Sequence, residues 1–441
     1  MERRDRGKGS MPSHLIKRMN LSACRRQGQA SLERVKDQRG VAAVIVALLI
    51  VILIGVAALA VDIGHLLVVR NELQNAADAA CLAGARFLYV DNGDLVSSGA
   101  SEIAYQAAGA NRSENLPVEV HWDGGNAGDV ERGHWSFADR TFTPSENDSH
   151  VPLWDVSPEE LDANLDFINA IRVRARREDT PAASFFARIF GYENFSAGAE
   201  AIAYLGYAGT LGPEEVDQPM AICKGSVLID EKYSCNVGRM ITLGELVANQ
   251  ETGGWTDFNQ DPDAQDPNPT EVASLVSRAE NPDPIILGRP MAVSGGDIPT
   301  AFGLLRGRWT NVTGRDEPWR VALPVVECPG NRLDSPARMT GVVRINILWI
   351  TDPNDDPSYS DAPSEMEYPH SGEIWSSNDP DGQVRWNSFV RYFNLRDLDG
   401  VFAPYQKKAV YFLPDCHHQE PRGRTGGENF GILAKIPVLA K

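Results

Sequence analysis

Residues 41–61 read VAAVIVALLIVILIGVAALAV, an apolar run with no charge and no proline. About 20 such residues cross the hydrocarbon core of a bilayer as a helix. Helix is the required conformation, because backbone groups in lipid have no water to bind and must pair within their own segment. The run divides the chain in two: the residues before it and those after it must fold on opposite sides of a membrane. Arg34, Lys36 and Arg39 stand just before it and Asp62 just after it. The positive-inside rule then expects residues 1–40 in the cytoplasm and residues 62–441 across the membrane. A cleaved secretory signal is the competing reading, since Ala58-Leu59-Ala60 has the small-x-small form of a cleavage site. Against it stand a leader of about 40 residues and an apolar run longer than the roughly 7–15 residues of a signal core.

Charge obeys the same division. Residues 1–40 hold eleven Lys/Arg and four Asp/Glu, and the other 401 hold 31 and 56. The basic leader has no packable core and is expected to be disordered. Met11 and Met19 within it are alternative starts. An acidic body suits solubility and argues against a nucleic-acid partner, because phosphate binding needs Lys and Arg to displace counterions.

Beyond the run the chain reads DIGHLLVVRNELQNAADAACLAGARFL. Leu66, Val69, Leu73, Ala77, Ala80 and Gly84 recur at helical spacing and form one face, with Asn71, Glu72, Asn75 and Asp78 off it. Small residues at this spacing let another backbone approach closely. That backbone belongs either to the chain's own domain or to a partner helix, a second copy included.

These residues carry a resemblance. Arg39-Gly40 before the run, Val61-Asp62-Ile63-Gly64 after it, and the stretch from Leu73 and Gln74 through Asp78 and Ala80 to Gly84-Ala85 resemble the N-terminal segment of TadG-like proteins of the Tad/Flp pilus-assembly system. Cys81 stands where that family usually has a small residue. Gly133-His134-Trp135, Arg140 to Thr143, Asn169 to Arg174, Phe185 to Gly191 and Ser196 to Ala201 are similar to the family's periplasmic domain. The resemblance implies a single-pass protein of the bacterial inner membrane with its bulk in the periplasm, which works with other pilus-assembly proteins through helix packing and protein contacts. Pilin-like relatives are cut after a glycine with a glutamate five residues further on. Here Ile45 stands five residues after Gly40, so neither cleavage nor polymerisation as a pilin is expected.

The fold expected is α+β: a transmembrane helix over 41–61, a juxtamembrane amphipathic helix over 62–90, and a periplasmic α+β domain over 91–208. A linker over 209–219 and a loop-rich, mostly β domain over 220–441 complete it. Helices are expected at 95–110, 181–190, 270–279 and 298–305. Strands are expected at 118–122, 168–176, 199–205, 320–327, 341–350, 409–413 and 432–439. The exported part holds Cys223, Cys235, Cys328 and Cys416, an even set that suggests two disulfides in three pairings. Cys223 with Cys235 is favoured as a short closed loop, which leaves Cys328 to Cys416. Four buried free thiols are the alternative.

Sites of chemistry are sparse. Asp415-Cys416-His417-His418 has metal-ligand residue types, but adjacent residues rarely converge on one ion. Asp257, Asn259, Asp261 and Asp263 alternate like a calcium loop, with Pro262 where glycine should turn and Asn268 where glutamate should close. Gly426 and Gly431 have phosphate-loop spacing, with Ile432 in place of lysine. No DxSxS, GxSxG or SxxK occurs. Neither an enzyme nor a cofactor is expected. The runner-up function is a membrane-tethered periplasmic binding module for glycan or calcium, using the acidic loops and Trp122, Trp135, Trp255, Trp309, Trp349 and Trp375.

Overall fold

A computed structural model describes residues 24–89, 93–243, 252–264, 266–354, 359–364 and 378–440, with side chains from Gly40 onward. The chain divides into two compact units. One joins the residues up to Leu67 with Ala183–Phe195, and the other joins Val68–Ala182 with Ser196–Lys441. The fold is α+β: one long apolar N-terminal helix, a mixed helix–strand domain and a mostly strand C-terminal region.

Helix α1 spans Cys24–Ala85. Residues 24–39, expected to be disordered, are helical instead. They hold no proline, and extending a formed helix through Arg, Gln, Leu, Glu and Lys costs little once the apolar run has nucleated it. The first unit also contains the tip of a strand hairpin. A helix was expected at 181–190, but the backbone stays extended to Ala183 and only Ala187–Phe190 turns, as a 3-10 helix. Pro181 disfavours helix at Thr180 before it, which keeps the strand going.

In the second unit, helix α2 (Gly99–Gly109) lies beside a sheet built from β1 (Val130–Trp135), β2 (Phe142–Pro144), β3 (Ala170–Ala183) and β4 (Asn194–Tyr204). The order is β2-β1-β3-β4, closed by Val438–Leu439 from the C-terminus. Strand β3 alternates: Ile171, Val173 and Ala175 are buried, while Arg172, Arg174 and Arg176 face outward to Glu131, Glu200 and Asp129 on other strands and turns. Residues 118–122 make only an isolated bridge, Glu119 to Arg176, rather than the expected strand. Residues 432–439 also fall short of one. Pro437 has no N–H to give a ladder, and only Val438–Leu439 form a strand, with isolated bridges at Leu433 and Ile436.

The C-terminal sheet is larger. Strands β5 (Met220–Cys223), β6 (Arg239–Thr242), β7 (Gly253–Thr256), β8 (Val293–Ser294), β9 (Trp319–Val326), β10 (Ala337–Ile350) and β11 (Ala409–Pro414) run in the order β6-β11-β10-β9-β5-β7-β8, with Pro290–Met291 on β10. Central β10 is rich in Val and Ile and buried on both faces. Three helices accompany the sheet: Pro269–Arg278, Pro299–Thr313 and Gly382–Tyr392. The first is started by Asn268, whose side chain accepts from the N–H of Thr270 and Glu271. The last was not expected from the sequence.

Two disulfides join the four exported cysteines, in a pairing other than the favoured one: Cys223 with Cys328, and Cys235 with Cys416. Sheet register dictates it. Parallel pairing sets Cys223 beside Val326, two residues from Cys328. Arg239 pairs with Phe412 antiparallel, so continuing that register outward four residues on each strand brings Cys235 opposite Cys416.

Candidate functional site

The residues that carry the family resemblance fall into three settings along α1. Arg39 lies in the helix, its side chain outside the described residues. Gly40, Gly55 and Gly64 have open space where a side chain would be. Between them the apolar side chains are bare. Val51 and Leu53 are about two-thirds exposed, and the other large apolar side chains of the run about half or more. A bare apolar surface of this size in water would drive association. The stretch from Gly40 onward is the one helix among the described residues long and apolar enough to cross a membrane.

Asp62, the first polar residue after the run, is buried. Its carboxylate accepts from the backbone N–H of Phe185 at 2.8 Å, Phe186 at 3.0 Å and Ala187 at 2.5 Å, and from the Ser184 hydroxyl at 3.4 Å. These N–H groups open the 3-10 turn Ala187–Phe190 and have no partner within it. Asp62 therefore caps a turn 122 or more residues away in sequence, as a latch between the end of the apolar run and the hairpin tip. Ser184 supports it by accepting from the Arg188 N–H at 3.0 Å, and His65 packs edge-on against Phe185, with ring centroids 4.8 Å apart.

In the second unit the small-residue face is fully used. Val69, Leu73, Ala76, Ala77, Ala80, Cys81 and Ala85 are completely buried. A Cβ on Gly84 would lie 2.8 Å from Ala104 Cβ and 2.9 Å from both the Ala100 carbonyl and Ile171 Cδ1. The backbone that approaches this stripe is thus the chain's own α2 and β3. The stripe is filled by the chain's own fold, and so lends no support to the expected homo-oligomer through this face. The polar motif residues brace it from the sides. Gln74 donates to Asp78 at 2.7 Å and to the Glu200 carbonyl at 3.2 Å. Glu72 accepts from the Ser113 hydroxyl and the Glu114 N–H. Burial, aided by the charge of Asp78, pushes the Cys81 thiol up to about 12, so it is a core residue and not a nucleophile.

The other sequence candidates do not converge. Asp415 holds His417 at 2.7 Å, Cys416 is bridged to Cys235, and the His418 ring packs at a tilt against His150. Asp257, Asn259 and Asp261 accept from the loop's own N–H groups two residues on, as a run of Asx turns. Phe430, between the two glycines of the supposed phosphate loop, is buried, and Asn429 donates to the Leu153 carbonyl. Trp255, Trp309 and Trp349 are fully buried and Trp135 nearly so, leaving Trp122 half-exposed, while Trp375 lies outside the described residues. A glycan-binding surface built on these rings is therefore not present among the described residues. The structure adds a cluster that sequence reasoning missed, Glu119, His121 and Asp179. Its carboxylate Glu119 is raised by burial but held at about 2 by the Thr180 hydroxyl and the N–H groups of residues 178–180, which it already accepts.

A family model described as Flp pilus-assembly TadE/G-like matches residues 40–86, and one described as Tad-like Flp pilus-assembly matches residues 71–203. No curated protein and no solved structure matches the chain. The matched stretch holds the apolar run, the Asp62 latch and the α2–sheet seat of the helix. Residues 40–203 are thus similar to Tad-system proteins of the TadE/G-like type.

Proposed function

We propose that this protein is a membrane-anchored structural component of a Tad/Flp-type pilus-assembly machine, acting through protein contacts and not through catalysis. Residues 41–61 serve as its single span, the N-terminus stays in the cytoplasm of the bacterial cell, and the folded body is held at the periplasmic face of the inner membrane. One observation supports this above the rest. A single helix is bare and apolar over the run, then from Val69 onward is buried in the folded body. The contacts with other assembly proteins then fall to the exposed surfaces of the body, because the small-residue stripe is occupied. Alkaline carbonate washing of membranes, with protease treatment of spheroplasts, tests the reading. The full-length chain should stay in the pellet, and a C-terminal tag should be cut from outside once the outer membrane is opened. Release as a soluble species, or a tag cut only after cell lysis, would overturn it.

A further inference from the structure

The 3-10 turn latched by Asp62 carries an apolar surface with no occupant among the described residues. Phe190 is 78% exposed and Ile189 75%, and Phe185, Phe186 and Tyr192 beside them are each more than a third exposed. Clustered large apolar side chains at one exposed tip are not an ordinary soluble surface. Their placement says what covers them. Asp62 comes directly after the last residue of the apolar run, and its carboxylate grips the N–H groups of Phe185, Phe186 and Ala187. The rings are thereby tied to the point where the run ends, where a bilayer passes from acyl chains to headgroups. Composition agrees: Phe and Tyr with one exposed basic residue, Arg188, are the side chains that settle at that boundary, apolar bodies inward and polar ends at the headgroups.

We infer that residues 185–192 form an interfacial collar, which buries its aromatic and aliphatic side chains in the lipid headgroup boundary beside the anchor helix and fixes the depth of that helix. The inference rests on the reading of residues 41–61 as the span. It makes the hairpin tip a second point of membrane contact, so that the helix is held against sliding and against rotation.

The test uses the full-length chain in nanodiscs of phosphatidylethanolamine and phosphatidylglycerol, with the photoreactive residue p-benzoylphenylalanine at Leu53 in one sample and at Phe190 in another. Ile189 serves as a second collar position should replacement of Phe190 impair folding. After irradiation, mass spectrometry reads whether each adduct carries a phospholipid or a polypeptide. Phospholipid adducts at 53 and at 190 or 189 are expected. A phospholipid adduct at 53 with none at 189 or 190, or with polypeptide adducts there, overturns the collar while the anchor stands, and would assign the tip to a protein partner. Loss of the phospholipid adduct at 53 itself overturns the span, and the collar with it.

Discussion

His150 shows what single residues decide in this molecule. Its ring lies between those of Tyr89 and His418, with centroids 4.5 Å from each, and Trp154 covers His418 at 5.1 Å. Burial first, and then the neighbouring His418, hold His150 down at about 4 against an ordinary 6.5, with the Gly93 backbone and Asp94 opposing too weakly to restore it. His418 is lowered as well, by burial and then His417, against Asp94. An unfolded chain takes up a proton at His150 near its ordinary value, and the folded chain does so only near the lowered one. The stability contributed by the neutral ring is therefore whole above about pH 6.5 and drains away as pH falls toward about 4, by at most on the order of 3 kcal/mol. His150→Phe keeps a ring in the stack and cannot take up the proton. Urea unfolding of both proteins across that window should show a flatter pH dependence for the variant, and parallel curves would mean that His150 is not a buried neutral base. The sequence offered His418 only as one of four neighbouring metal-ligand types, because the ring it packs against lies far away in the chain, at position 150. Asp62 was legible as a motif residue but not as a latch, for the same reason: its partners are distant in sequence.

Elements were legible where their signal is local. The stripe from Leu66 to Gly84, the helix opened by Asn268-Pro269 and the long Val/Ile strands β9 and β10 arise from spacing and caps within a few residues, and each sits where expected. Disulfide pairing was not legible, because it is fixed by which strands neighbour one another across more than a hundred residues. The helix Gly382–Tyr392 was missed because its apolar positions, Trp386, Phe389 and Val390, are few and set among polar ones. The stripe itself left open whether a partner or the chain's own fold would fill it, and that choice carries a test. A Cβ on Gly84 would already fall inside van der Waals contact with α2 and β3, so Gly84→Leu has no room without moving backbone. Even Gly84→Ala should cost about 1–3 kcal/mol through overpacking. At Gly64, on the same helix, a Cβ meets open space, and alanine should be neutral or stabilising by up to about 1 kcal/mol through helix propensity. Melting temperatures in detergent should fall for both Gly84 variants, steeply for leucine, and hold or rise for Gly64→Ala. A Gly84→Leu protein that melts like the wild type and fails only in pilus assembly would return the face to a partner helix.

At the scale of the whole molecule, the apolar run and the buried face from Val69 onward share one helix, and this decides where the chain can be cut. Residues 68–89 include Val69, Leu73, Ala76, Ala77, Ala80, Cys81, Ala85 and Leu88, all fully buried, and Tyr89, whose hydroxyl donates to the Ile168 carbonyl at 2.5 Å. Removing them strips the sheet and α2 of a covering face worth on the order of 10 kcal/mol in apolar burial. That is comparable to the roughly 5–15 kcal/mol by which a domain is stable at all. A fragment beginning at Asp62 keeps this face, and also keeps the carboxylate that latches residues 185–187. It loses only side chains that are bare in the folded chain, together with the basic leader, and the acidic remainder favours solubility. Residues 62–441 should therefore be recovered as a folded species with cooperative thermal unfolding. Residues 90–441 should aggregate, or unfold without a cooperative transition, although they omit fewer than thirty further residues. Near-ultraviolet circular dichroism and calorimetry on the two fragments separate the cases, because buried Trp and Tyr report fixed packing directly. If residues 90–441 melt cooperatively at the same temperature as residues 62–441, residues 68–89 are an attached stalk and not part of the core.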